Sequence, residues 1–317
     1  MSANKQAENP LNTSTRSGPD APVHSLHVVQ YPAAQAISNV SHTPLQARLS
    51  LGFSEDSGTT RLVDRDHFGP LLIQKPLYPE GREVCHAVII HPPGGVVGGD
   101  KLEITANVGK AAQVQITTPG AAKWYKANGH VSHQNIRLNV GAGGSLEWVP
   151  QETIFFDNAD LVLDHQVRLE KDANYVGCEI LCFGRTASGE SFNGGRIRQR
   201  TRIYREGKLI WLEQIRLLGG SPAMKGPLSL AGRTVCATLI LTGKAIPREL
   251  IELSREGAES IAGDANRVGV SQLKSAVVAR YLGDSSETAR RVMLHVWGLF
   301  RPAMLGRAAI VPRMWNT

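Results

Sequence analysis

The stretch Gln134-Asn135-Ile136-Arg137-Leu138-Asn139-Val140 places Ile136, Leu138 and Val140 on one side of an extended chain and Asn135, Arg137 and Asn139 on the other. A period of two marks a strand with one face buried and one in solvent. The same reading spreads outward. In Leu161 to Leu169, Leu161, Leu163, Val167 and Leu169 share a face, and His165 is its one polar interruption. A lone histidine there is expected to be a hydrogen-bonded core or rim residue rather than a ligand. In Leu209 to Leu218 apolar residues fall on both parities, which predicts a strand covered on both sides. Turn residues separate such runs, at Ala127-Asn128-Gly129, Gly141-Ala142-Gly143-Gly144 and Arg205-Glu206-Gly207-Lys208.

Many short strands between turns predict a mainly β chain, built of elongated, stacked antiparallel sheets in a β-helix-like arrangement. About two helices are expected, both in the last quarter. One runs from Pro247 to about Ser260; the other, Ser286 to Phe300, opens on the capping signal Asp284-Ser285-Ser286-Glu287 and stops at Pro302. Gln272 to Leu282 reads as either helix or strand. Residues 1–44 are rich in Ala, Ser, Asn, Pro and Gln without an apolar period, the composition of a disordered leader. Residues 45–317 then form a single domain.

Among 317 residues, 32 glycines exceed what a helical protein would tolerate, in line with strands and turns. A net charge of +7 attracts acidic partners, but only 6% of residues are aromatic, too few to suggest the base-stacking platforms of a nucleic-acid binder. The cysteines at 85, 178, 182 and 236 include no C-x-x-C pair and are expected to be reduced and buried. No secretory signal or 18-residue apolar run is present, so a cytoplasmic location without membrane contact is expected.

The densest motif is His91-Pro92-Pro93-Gly94-Gly95-Val96-Val97-Gly98-Gly99-Asp100. Its glycines suit either an anion-cradling loop or a tight structural turn. A phosphate loop would require Lys and a hydroxyl after the last glycine, where Asp100 stands. No G-x-S-x-G occurs, so an activated serine has no support. The pairs His130/His133 and Cys178/Cys182 read as chance spacings rather than metal motifs. In Arg196 to Tyr204, Arg196, Arg198, Arg200 and Arg202 would line one face of a strand while Ile197 and Ile203 turn inward. Such a row repels itself, so acids on a neighbouring strand or on a partner must face it.

Taken together, the glycine-rich loop His91 to Leu102 and five further blocks in matching order resemble the UreD (UreH) family of urease accessory proteins. The further blocks are Gly69-Pro70-Leu71 with Lys75 to Glu80, Thr117 to Gly120 with Ala122-Lys123, Leu146 to Ile154, Phe183 to Glu190, and Pro312 to Thr317. The resemblance implies a mainly β, helix-poor fold and no enzymatic activity of its own. It also implies a maturation factor that binds urease apoprotein and recruits a helical accessory protein (UreF type) and a GTPase (UreG type). Nickel and a carbamylated lysine are then installed in the urease active site.

No stably bound cofactor is expected, only nickel in transit. A sparse series of carboxylates would let nickel move without trapping it, and Asp100, Glu152, Asp157 and Glu190 are the candidates; the alternative is that Asp100 and Glu190 satisfy turn amides and Glu152 and Asp157 are ordinary surface acids. Partner-binding candidates are Arg196, Arg198, Arg200, Arg202, Arg313 and Trp315, the last two in a tail expected to dock on the helical partner, with the chain's own core as the alternative. Two other classes stay open. A carboxylate-based hydrolase would draw on Glu147, Glu152 and Asp157, and a basic β-rich polyanion or nucleic-acid binding module on the arginine row.

Overall fold

The computed structural model describes residues 43–316. The expected leader falls almost wholly on residues 1–42, outside the described residues. In chain order the strands are β1 (Gln46–Asp56), β2 (Thr59–Phe68), β3 (Leu72–Ile73), β4 (Val84–Ile90), β5 (Lys101–Val108), β6 (Gln113–Thr117), β7 (Ala122–Trp124), β8 (Ser132–Val140), β9 (Ser145–Trp148), β10 (Thr153–Phe155), β11 (Asp160–Leu169), β12 (Asn174–Phe183), β13 (Arg196–Arg205), β14 (Lys208–Leu218), β15 (Val235–Thr242), β16 (Arg267–Gln272) and β17 (Val277–Gly283). The helices are α1 (Pro222–Lys225), α2 (Arg248–Ala262) and α3 (Ser286–Leu305).

A seven-stranded sheet runs β14-β13-β11-β8-β5-β1-β2. The second sheet has ten strands; its main path is β16-β17-β15-β12-β9-β6-β4-β3, and off this path β10 pairs with β12 and β7 with β10. From β4 to β13 the chain winds back and forth between the sheets, each coil laying one strand on the seven-stranded sheet and one or two on the ten-stranded one. The β-helix-like stacking is therefore as read, but strand direction differs. Within the coils the neighbours β4-β6-β9-β12 and β5-β8-β11-β13 are parallel, and antiparallel pairs occur at the ends, as in β1-β2, β13-β14 and β15-β17. A coil that winds in one sense returns every strand in the same direction, and glycine-rich corners look alike in hairpins and coils.

Between the sheets lies an apolar core that includes Leu49, Leu51, Leu138, Val140, Leu161, Val167, Tyr175 and Phe183. A second core, with Val176, Cys178, Ile180, Val292, Val296 and Phe300, fills the space between the ten-stranded sheet and the helices. Alternate residues of β12 thus serve different cores. The ambiguous stretch before Leu282 resolves as strand in β17, because both of its faces are covered. Ser285 caps α3 by accepting from the Thr288 amide at 3.1 Å. The helix passes Pro302 and ends at Leu305, since Phe300, Arg301 and Met304 anchor its last turn in the interior and override the proline.

β14 corrects one expectation. Its inward residues Trp211, Ile215 and Leu217 pack on the core, but Leu209, Leu212 and Leu218 are 50%, 52% and 58% exposed. The strand is the edge of its sheet, and among the described residues it is covered on one side only. At Arg205 to Lys208 the expected turn closes the β13-β14 hairpin, with positive φ at Glu206 and Gly207.

Candidate functional site

The glycine-rich loop is a packing device. A Cβ on Gly95 would enter the Tyr125 ring, and one on Gly98 would overlap the Ala127 carbonyl. Asp100, 3% exposed, accepts from the Leu45 amide at 2.8 Å and the Val97 amide at 3.0 Å, tying the loop to the start of β1. The remaining route candidates also have defined partners. Asp157 accepts from the amides of Asn193 and Gly194, and Glu190 from the Asp157 amide and Arg185. Glu152 is paired with Arg290 beneath α3. The structure brings Asp157 and Glu190 together at one corner of the coil and leaves Asp100 and Glu152 elsewhere. Glu147, Glu152 and Asp157, weighed as a hydrolytic set, are each held by different groups rather than opposed across a cleft.

The arginine row faces outward as expected, and its pairing is internal. Asp160 on β11 binds Arg196 at 2.8 Å and Arg198 at 3.2 Å, while Asp164 binds Arg200 at 3.2 Å and Arg202 at 2.8 Å. Arg196, Arg198 and Arg200 nevertheless keep 39–51% of their side chains exposed. In the tail, Arg313 is exposed, whereas the Trp315 indole packs on the chain's own second core. It donates to Thr117 Oγ1 at 3.0 Å and lies against Arg290. Of the two dockings weighed for the tail, the structure shows the one on the chain's own core, with Thr117 and Arg290 completing the tryptophan's seat.

Beneath α3 a charged cluster is closed off from water. Arg301, 1% exposed, donates to Glu80 at 2.7 and 2.8 Å, to Glu147 at 2.9 and 3.0 Å, and to the Ala308 carbonyl. Trp297 Nε1 donates to Glu147 at 2.7 Å, and His86 Nε2 lies 2.6 Å from Glu80. Burial opposes ionisation of Glu80, but the hydrogen bonds from His86 and Arg301 outweigh it and hold its pKa at about 2, against 4.5 unperturbed. A depressed carboxyl pKa gives stability that is complete above about pH 4.5 and lost as pH falls through about 2. Denaturation midpoints should therefore decline over that window, and Glu80→Gln should flatten the decline, as urea titrations at a series of pH values would register.

On the opposite face of the ten-stranded sheet a different polar group points between the sheets. Glu179 of β12 accepts from Gln199 Nε2 at 2.6 Å and lies 3.5 Å from His165 Nδ1. His165 is 3% exposed and stacks edge-on to Trp148 at 5.9 Å. Neither of its ring nitrogens has a hydrogen-bond partner, and neither does Thr201 Oγ1 directly opposite in register. Glu213 of β14 pairs with Arg280 at 2.9 Å. Burial raises the Glu213 pKa and the Glu179 charge adds to that, while Arg280 opposes. Glu179, Glu213, Gln199, Arg280 and Cys236 line a cleft of about 480 Å³. Burial pushes the Cys236 thiol up to about 12, as it does Cys178 and Cys182. Among the described residues no three His, Cys, Asp or Glu side chains converge as a metal-holding group.

Glu179 and Glu213 were not singled out from the sequence. The available signal was a lone acid in each of two strongly apolar strands, Asn174–Phe183 and Lys208–Leu218.

Sequence comparison with known proteins identifies the family. The family model for the UreD urease accessory protein matches residues 45–316. A "Urease accessory protein UreD" of Nitrosospira multiformis is 62% identical over 277 residues, covering 87% of this chain and 99% of the relative. Proteins of the same name from a Janthinobacterium species and from Nitrosococcus oceani are 57% and 45% identical. These alignments cover 86% of this chain, and 92% and 90% of the relatives respectively. The chain belongs to the UreD family of urease accessory proteins.

Proposed function

We propose that the chain serves urease maturation as a scaffold that binds urease apoprotein, gathers the helical accessory protein and the GTPase, and lets nickel cross the space between its sheets. The observation that carries the passage is the inward pair Glu179 and Glu213, set in a cleft of mixed polar and apolar lining beside the apolar core. Two carboxylates facing one space favour a divalent cation, whose charge offsets their mutual repulsion. Oxygen ligands hold nickel less firmly than imidazole or thiolate. Cys236 lines the same cleft, and in the metal-free chain burial pushes its thiol up to about 12. The ion then meets groups that attract it without a closed cage that would retain it. Free, reduced cysteines suit work in the cytoplasm, and no described helix is long and apolar enough to cross a membrane.

The reading is tested by reconstitution. Urease apoprotein mixed with nickel, bicarbonate, GTP, the helical protein and the GTPase should gain nickel and activity when this chain is added, and should co-purify with it. Equal activation without the chain would refute the proposal.

A further inference from the structure

The seven-stranded sheet turns one face away from the core, and at its β14 edge that face has an unusual composition. Opposite Arg196, Arg198, Arg200 and Arg202 stand Leu218, Arg216, Gln214 and Leu212, and beyond the bulge Leu209 stands opposite Tyr204. Leu209, Leu212 and Leu218 thus lie on the outer side of the sheet together with the arginine row, each about half exposed. Leu228, wholly exposed, stands in the segment that follows α1, and both Leu228 and β14 line the same cleft. Apolar residues on both parities are the pattern of a strand buried on both faces. Among the described residues only the inner side of the strand is covered.

We propose that this outer face of β13 and β14 is the docking surface for an acidic protein partner, whose apolar centre covers the leucines and whose carboxylates meet the arginines. The choice of occupant follows from charge. Over β8, β11, β13 and β14 the outward residues include Arg137, Arg168, Arg196, Arg198, Arg200, Arg202 and Arg216, against Asp160 and Asp164. Seven positive and two negative side chains leave five unmatched positive charges. A second copy would bring the same excess to the contact, and the whole chain carries +7, so self-association on this face opposes itself. Exposed leucines beside arginines are also poor readers of a nucleic acid, which needs aromatic or hydrogen-bonding surfaces. A protein surface with an apolar middle and an acidic rim satisfies both halves of the patch. β14 is an edge strand, so its unpaired backbone groups are available to the same partner.

The proposal rests on the scaffold reading, and the test separates the two. Full-length chain is titrated against purified urease apoprotein, the helical accessory protein and the GTPase, each immobilised alone, over a range of salt concentrations. Two variants are compared with wild type. Leu212→Asp/Leu218→Asp changes only solvent-facing side chains. Arg198→Ala/Arg200→Ala leaves Asp160 its Arg196 and Asp164 its Arg202, so no acid is orphaned. Lys101→Glu, on the same sheet but away from the edge, is the control.

The expected result is a loss of affinity of about tenfold or more for at least one of the three proteins in both variants. Melting temperature and the control should be unchanged, and wild-type binding should weaken as the screening length falls below about 10 Å. Unchanged affinity of both variants for every protein that wild type binds overturns the surface while leaving the scaffold standing. A loss confined to self-association, seen by sedimentation, or to binding of a single-stranded RNA homopolymer, overturns it in favour of a second copy or a polyanion. If wild type binds none of the three at any salt, the scaffold reading itself fails and the surface with it.

Discussion

An Arg301→Met variant is expected to lose about 3–5 kcal/mol of folding stability, enough to unfold much of the population under conditions where wild type is native. The arginine joins three segments distant in sequence: the Glu80 loop before β4, Glu147 on β9, and the chain after α3 through the Ala308 carbonyl. Removing it leaves two carboxylates, with side chains 4% and 3% exposed, facing each other without their cation. Methionine restores most of the volume and the contact with Trp297, so the loss would report charge rather than packing. Urea unfolding should show a lower midpoint with an unchanged slope. The triple variant Arg301→Met/Glu80→Gln/Glu147→Gln should recover a large part of the loss, because no unpaired charge remains. A single variant with a wild-type midpoint would mean that the cluster does not hold α3 to the sheet.

Some of this architecture was legible because one face of each strand meets water. In Gln134–Val140, and in the Arg196–Arg202 row, solvent on one side and core on the other impose alternation, and the faces came out as read. Strand direction was not legible, since a half-buried strand has the same pattern whether its neighbour runs parallel or antiparallel. Asp100, Glu152, Asp157 and Glu190 lie in or just after motif blocks, and besides near partners such as the Val97 amide and Arg185 they hold the Leu45, Asp157 and Asn193 amides and Arg290 of distant segments, which spacing along the chain does not show. β14 was misjudged for a physical reason as well. Its double-sided apolar pattern is real, but no described residue covers the second side. His165 was visible as a polar break in an apolar face, and Glu179 on the facing sheet, absent from that local pattern, is what gives it a charged neighbour.

Replacing Glu179 and Glu213 together by glutamine is expected to lower nickel loading of urease by about tenfold or more while leaving the assembly intact. Glutamine keeps the size and hydrogen-bonding capacity of glutamate, so Gln199 retains an acceptor and the sheets stay packed. What disappears is the negative charge. A divalent ion leaving water for the interior needs that charge in place of its hydration, and the neutral cleft would present a barrier where the ionised one presents a foothold. Arg280 would then stand in the cleft without its counter-charge, which adds to the repulsion of a cation. The comparison variant is Asp100→Asn/Glu152→Gln. Asp100 holds loop amides and Glu152 holds Arg290, so this pair should lower the melting temperature and affect loading only in proportion to the folded protein lost. Nickel per urease active site, measured by metal analysis after equal amounts of complex are recovered, reads both variants on one scale. Full loading by the Glu179/Glu213 variant, with a deficit in the Asp100/Glu152 variant that exceeds its loss of fold, would move the route out of the cleft between the sheets and onto the loops at the coil corners.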